Sequence, residues 1–315
     1  CPSSVAGGMY EKFYLLNSIE KDKIVWQLTG NEIESFREAS KIVTQLGGIG
    51  IDINMGCSAP EIYRTGCGIA WMKKNPDEIK KLLSVVKNEL LKSNTSCNRL
   101  SVKYRLGEED FTEQKFLEFS SMLADCGVTQ LALHPRTRKE KLSRPPRYQF
   151  CQNLAENLKD KGITVIVNGN VKDEESFLHV KKTCPACDGV MISRSAVQKP
   201  WIFNQLSVLE KQNDKLENQT EHHSLDLYQV AKKFLEYMKD SQPKDFYQTR
   251  SQRFFYYFCD NFMFANQLKN RIGIIKNCDE IMHVFEDYFS KMSEERYKDL
   301  KLYPFNCENL SGENA

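Results

Sequence analysis

Between residues 24 and 200 the chain repeats one unit: a short run of β-branched and apolar residues, a turn, then a longer segment with helical apolar spacing. The apolar runs are Ile24–Leu28, Ile49–Ile53, Leu100–Tyr104, Gln130–Leu133, Ile163–Val167 and Gly189–Ile192. Helical spacing fills the gaps over Glu32–Leu46, Pro76–Leu91, Glu113–Asp125, Tyr148–Leu158 and Asp173–Lys182. Continuous apolar strands, each followed by a helix, pack as a parallel sheet covered by helices. A doubly wound sheet and a (β/α)8 barrel both use that unit. The polar residues ending the runs decide between them: Gln27, Asn54, Cys57, Lys103, His134, Asn168 and Arg194. A barrel opens every such end on one face, whereas an open sheet uses only its switch point. The expected fold is therefore α/β, a (β/α)8 TIM barrel. Six strands are countable where a barrel needs eight, and residues 1–16 read as loop plus a short helix. The first two βα units are expected to be absent.

After about residue 204 the rhythm stops. Residues 205–225 are polar and read as a connector. Beyond it the pattern is helical, with Val230, Phe234, Tyr237 and Met238 spaced as one apolar face. The aromatic-rich stretch 254–264 and a helical segment over Ile281–Met292 complete it. The expected organisation is a catalytic barrel domain over 1–204, the connector, and a C-terminal all-α domain over 226–315. No apolar run approaches the roughly 18 residues of a membrane span. The 11 cysteines are odd in number and scattered, which reads as reduced thiols in a cytoplasm. Cys184 and Cys187 have CxxC spacing, but a zinc ribbon needs a second pair; the expectation is a plain loop and no metal.

The overall charge is only +2, but it is unevenly distributed. Residues 227–276 hold nine Lys or Arg against four acids, whereas residues from 279 to the end hold four against nine. The stretch from His134 to Arg147 carries six basic residues and one acid. Two basic surfaces of this kind suit a polyanionic substrate.

The most informative stretch is Asp52-Ile53-Asn54-Met55-Gly56-Cys57, followed by Gly66-Cys67-Gly68-Ile69-Ala70. Gly56 permits a sharp turn, so that the Cys57 thiol can project over the strand ends. A cysteine there can be a nucleophile, a metal ligand or a proton donor. The absence of a Cys-His-Asn spacing gives weight to general acid work. These motifs resemble the signature of the tRNA-dihydrouridine synthase family. The landmarks Val102-Lys103-Tyr104-Arg105, His134-Pro135-Arg136-Thr137-Arg138, Val167-Asn168-Gly169-Asn170, Ile192-Ser193-Arg194 and Lys199-Pro200-Trp201-Ile202-Phe203 come in the family's order. The chain departs from the family's pattern at Ser58, Pro135 and Ser195.

The resemblance implies a flavoprotein that binds FMN in a TIM barrel and reduces the C5=C6 bond of uridine in tRNA, with NADPH (or NADH) as reductant. It implies Cys57 as the catalytic acid that protonates C5 while hydride reaches C6. Gln27, Asn54, Lys103 and His134 would hold the flavin ring and uracil, and Asn168, Gly169, Asn170, Ser193 and Arg194 the phosphate. Arg136, Arg138, Lys139, Arg144 and Arg147, with Arg250, Arg253, Lys269 and Arg271, would meet the tRNA. Two other readings stand beside it: a tRNA-binding protein without catalysis, and a flavin barrel acting on a free pyrimidine. The sequence does not say which tRNA position is modified, or what the oligomeric state is.

Overall fold

The computed structural model describes residues 21–93, 95–108, 111–140, 143–211 and 221–302. The expected loop and helix over residues 1–16 lie outside them, as do residues 212–220 of the expected connector. The backbone divides into a first unit, Cys1–Val171 with Leu178–Met191, and a second, Lys172–Phe177 with Ile192–Ala315.

In the first unit, strands β1 (Val25–Leu28), β2 (Gly50–Met55), β3 (Arg99–Gly107), β4 (Gln130–Thr137), β5 (Thr164–Asn168) and β6 (Gly189–Met191) match the six apolar runs. Helices α1 (Ile33–Gln45), α2 (Pro60–Arg64), α3 (Pro76–Lys92), α4 (Glu113–Asp125), α5 (Gln149–Asn157) and α6 (Glu174–Thr183) alternate with them, the start of α6 through Phe177 belonging to the second unit. All neighbouring strands pair in parallel, in the order β1-β2-β3-β4-β5-β6. Each strand lies beside its successor, so the described strands contain no reversal of order. That is barrel order rather than doubly wound order. These are six consecutive strands of a (β/α)8 barrel fold.

The helices form where local chemistry asks for them. In α3, Asn75 caps the first turn by accepting from the N–H of Asp77 at 3.0 Å, and Pro76 sits where no N–H is needed. Ile79, Leu82, Leu83, Val86 and Leu90 then bury one stripe. The helix-covered face of the sheet is apolar: Ile51, Ile53, Met55, Val102, Leu131, Leu133, Val165 and Val167 are all buried. Tyr104 shares that face, stacks on Phe116 of α4, and satisfies its hydroxyl against the Ser120 hydroxyl at 2.7 Å.

The second unit contains α7 (Arg194–Gln198), α8 (Ile202–Lys211), α9 (Leu227–Ser241), α10 (Tyr247–Phe258), α11 (Ala265–Gly273) and α12 (Ile281–Lys291). Phe254, Phe255, Phe258, Phe262, Phe285 and Phe289 form the centre of its core. Three features differ from expectation. Residues 205–211 of the expected connector are helical, the continuation of α8. A two-stranded antiparallel ribbon of β7 (Glu221–Asp226) and β8 (Tyr297–Leu302) accompanies the helices. The fully buried stripe of α9 is Leu227, Ala231, Leu235 and Met238, while Tyr237 is 55% exposed. Val230 and Phe234 pack against the edge of this core, only partly buried.

Asp226 joins ribbon to helix. Its carboxylate caps α9 by accepting from the N–H of Tyr228 at 2.9 Å, and it accepts from the Arg296 guanidinium at 2.7 Å. Burial alone would push its pKa up; the Arg296 bond and the two cap N–H groups outweigh that and hold it below the usual carboxylate range. The resulting stability is present above the ordinary carboxylate pKa and is lost as pH falls through the depressed value. Asp226→Ala is expected to cost about 1–2 kcal/mol at neutral pH. Thermal unfolding of variant and parent should converge in acid.

Candidate active site

Residues two apart on a strand share a face, and so do residues in register across parallel strands. The register Gln27↔Asp52↔Ser101, Asn54↔Lys103 and Arg105↔His134 therefore puts these seven polar side chains on one face of the sheet. Asn168 falls on it as well, two residues beyond Ile166, which pairs with Ala132. This is the face opposite the helices. The structure thus brings together Gln27, Asn54, Lys103, His134 and Asn168, each expected from the sequence.

A chain of hydrogen bonds runs across β3, β2 and β1. Ser101 Oγ donates to Asp52 Oδ1 at 2.7 Å, and Gln27 Nε2 donates to Asp52 Oδ2 at 2.7 Å. Asn54 Nδ2 donates to Gln27 Oε1 at 2.9 Å. Asn54 Oδ1 in turn accepts from the backbone N–H groups of Gly56 at 3.1 Å and Cys57 at 3.0 Å.

Cys57 is a free, half-buried cysteine in the loop between β2 and α2. Its carbonyl accepts from the N–H of Ile69 at 3.1 Å. Gly68 has φ +60°, and a Cβ there would stand 2.6 Å from the Cys57 carbonyl oxygen. Only glycine lets the returning loop seat the cysteine this closely. Gly56 is needed for a different reason than expected. Its φ is not positive, but a Cβ would stand 3.1 Å from the Tyr104 backbone.

Two cations flank the thiol. Burial, then the proximity of Arg105, lowers the Lys103 pKa, while Asp52 and Cys57 pull it back. Among the described residues the Lys103 ammonium has no hydrogen-bond partner. Arg105 is buried and donates from Nε to the Gly56 carbonyl at 3.0 Å and from a terminal nitrogen to the Thr137 carbonyl at 3.4 Å. Charge on Cys57 would be felt by both cations. The arrangement stabilises negative charge and offers an S–H beside it.

Within β4, His134 Nε2 lies 2.9 Å from a terminal nitrogen of Arg136. Gly169, φ +125°, lies against the His134 ring, where a Cβ would come within 3.0 Å. Tyr148 holds this loop by donating its hydroxyl to the Gly169 carbonyl at 2.7 Å. Asn168 donates to the Met191 carbonyl at 2.9 Å, and Asn170 has φ +56°.

Arg136 corrects an expectation. It is 1% exposed and donates to the Arg144 carbonyl, so its charge faces inward, toward His134 and its own loop. Lys139 and Arg144 are exposed. Arg138 pairs with Glu108 at 2.6 Å and lies over the Tyr63 ring; Arg147 pairs with Glu140 at 3.0 Å.

The remaining expected residues belong to the second unit. Ser193 precedes α7, and Arg194 opens it, exposed. Arg253 is exposed and Arg250 lies over the Phe246 ring. Lys269 pairs with Asp260, and Arg271 with Asp287 at 2.7 Å. In the first unit, the thiols of Cys184 and Cys187 are directed at the carbonyls of Tyr148 and Cys151. Among the described residues no group of three or more His, Cys, Asp or Glu is placed to hold a metal ion.

Asp52, Ser101 and Arg105 were not singled out from the sequence. The signal was available in the alternation Asp52-x-Asn54 and Ser101-x-Lys103-x-Arg105, which puts each on the face of a chosen neighbour.

Comparison with known proteins agrees with the motifs. The family profile described as dihydrouridine synthase (Dus) matches residues 10–293. The tRNA-dihydrouridine(16) synthase of Shewanella oneidensis is 24% identical over 260 residues, 82% of this chain and 76% of that one. The tRNA-dihydrouridine synthase B of Pasteurella multocida is 31% identical over 192 residues, 61% of this chain and 54% of that one. Among solved structures, the old yellow enzyme homologue from Zymomonas mobilis aligns over 58% of this chain and 51% of that one, at 14% identity and a TM-score of 0.38. That likeness is too distant to carry an argument.

Proposed function

As a member of the dihydrouridine synthase family the chain is an oxidoreductase, and we propose that it reduces the C5=C6 bond of specific uridines in tRNA to 5,6-dihydrouridine. The observation that carries this reading is the Cys57 thiol near Lys103 and Arg105, beside a polar strand face. Adding hydride to C6 builds enolate charge on the pyrimidine, and C5 must then receive a proton within the same pocket. Cys57 Sγ holds that proton and gives it to C5. Lys103 and Arg105 stabilise the charge that develops meanwhile.

The residues present fit FMN. Lys103 is a half-buried cation whose ammonium has no hydrogen-bond partner among the described residues, suited to the electron-rich edge of a flavin. Gly169 and Asn170 offer a left-handed backbone turn without a Cβ at its tightest point, which suits a phosphate. When bound, FMN supplies the hydride, renewed from NADPH or NADH. Gln27, Asn54 and His134 orient ring and uracil, while Asn168 completes the phosphate contacts within the first unit. Residues 1–204 form the catalytic domain in this reading, 205–225 the connector, and 226–315 the helical tRNA-binding domain. Arg138, Lys139, Arg144 and Arg147 of the first region meet the RNA, as do Arg250, Arg253, Lys269 and Arg271 of the last. The enzyme works in the cytoplasm.

The test supplies the full chain with FMN, NADPH and unmodified tRNA, then analyses the tRNA digest by mass. The expected result is a yellow protein with a flavin spectrum, and one uridine heavier by two hydrogens. A protein that binds tRNA with steep salt dependence but takes up no flavin would refute the catalytic reading.

A further inference from the structure

We propose that Asp52 is a positioning residue whose carboxylate sets the direction of the hydrogen-bond chain that ends on the N–H groups of Gly56 and Cys57. The inference rests on the proposed function only in taking Cys57 as the proton donor. Amide side chains have a donor end and an acceptor end, so a chain of them has two possible polarities. A carboxylate can only accept. With Asp52 accepting from Ser101 and Gln27, the Gln27 amide must present Nε2 to it, which leaves Oε1 for Asn54. Asn54 must then turn Nδ2 toward Gln27, leaving Oδ1 for the two loop N–H groups. Reversal at Gln27 would point an NH2 group at two N–H donors and release the loop.

Asp52 is 5% exposed, and its two nearest donors fix both oxygens at 2.7 Å. The charged groups facing it are Lys103 and Arg99. Burial raises its pKa, and Ser101, Gln27 and Lys103 oppose that rise. A buried acid is costly unless its oxygens are hydrogen-bonded, and the Ser101 and Gln27 donors that meet this need are the ones that fix the chain's polarity. It makes no contact with the Cys57 sulfur; it acts through Gln27 and Asn54.

The test measures hydrogen exchange of the Gly56 and Cys57 amides in the full chain, together with kcat and KM for tRNA. Asp52→Leu keeps the branching and number of heavy atoms and removes the acceptor. It is expected to speed exchange at these two amides about tenfold, with amides of β4 and β5 unchanged, and to lower kcat without raising KM. The double variant Asp52→Asn/Gln27→Glu moves the carboxylate one place along the chain. Position 27 then accepts from both neighbours, and Asn54 keeps its orientation, so slow exchange should return. Unchanged exchange in Asp52→Leu, or fast exchange in the double variant, overturns the proposal. If Asp52→Leu does not fold, the double variant alone decides. Fast exchange with undiminished kcat would uphold the positioning role and sink Cys57 as the proton donor instead.

Discussion

Replacing Cys57 with alanine is expected to lower dihydrouridine formation by about 10²–10⁴-fold, the usual contribution of a positioned general acid. The side chain is half-buried and its sulfur takes no part in the hydrogen bonds that hold the loop; those use its backbone N–H and carbonyl. Alanine keeps both. Folding, flavin uptake and tRNA affinity should therefore stay close to the parent while turnover collapses. Mass analysis of tRNA digests gives the rate, and thermal unfolding and filter binding supply the controls. Cys57→Ser should fall between, because a hydroxyl fits the space but parts with its proton far less readily. A variant that loses activity and tRNA affinity together would make Cys57 part of the RNA surface.

Arg136→Ala is expected to destabilise the first unit by about 3 kcal/mol or more, through lost charge-assisted hydrogen bonds and the cavity left behind. Its guanidinium lies beside His134 and the Arg144 carbonyl, with 1% of the residue exposed. The salt dependence of tRNA binding should not change, since an inward-facing cation neutralises no phosphate. Lys139 and Arg144 are exposed, and replacing each should reduce the salt slope by about 1. Arg136→Met retains much of the volume and separates the cavity from the lost bonds; a drop in slope for that variant would return Arg136 to the RNA surface.

The contrast between Arg136 and its neighbours shows where sequence reading stops. His134 to Arg147 reads as one basic stretch, and charge counts treat its members alike. Burial does not. Arg138 and Arg147 each pair with a neighbouring carboxylate, Glu108 and Glu140, Lys139 and Arg144 remain at the surface, and Arg136 is buried. The stripe of α9 makes the same point: Tyr237 has the right spacing, yet Leu227 and Ala231 take the core.

The linear order of residues was enough to determine the six strands, the helices between them and the polar strand ends, because apolar periodicity and capping are local signals. It also sufficed to single out Cys57, Lys103 and His134, since each lies near the carboxyl end of an apolar run, although β3 and β4 continue beyond Lys103 and His134 to Gly107 and Thr137. Tertiary structure alone decided which polar groups answer one another. Asp52 meets Gln27 across 25 positions, Arg105 meets the Gly56 carbonyl across 49, and Gly68 seats Cys57 from the far side of a helix. Such pairings depend on register between strands, and register is fixed by packing of the whole sheet rather than by any one segment.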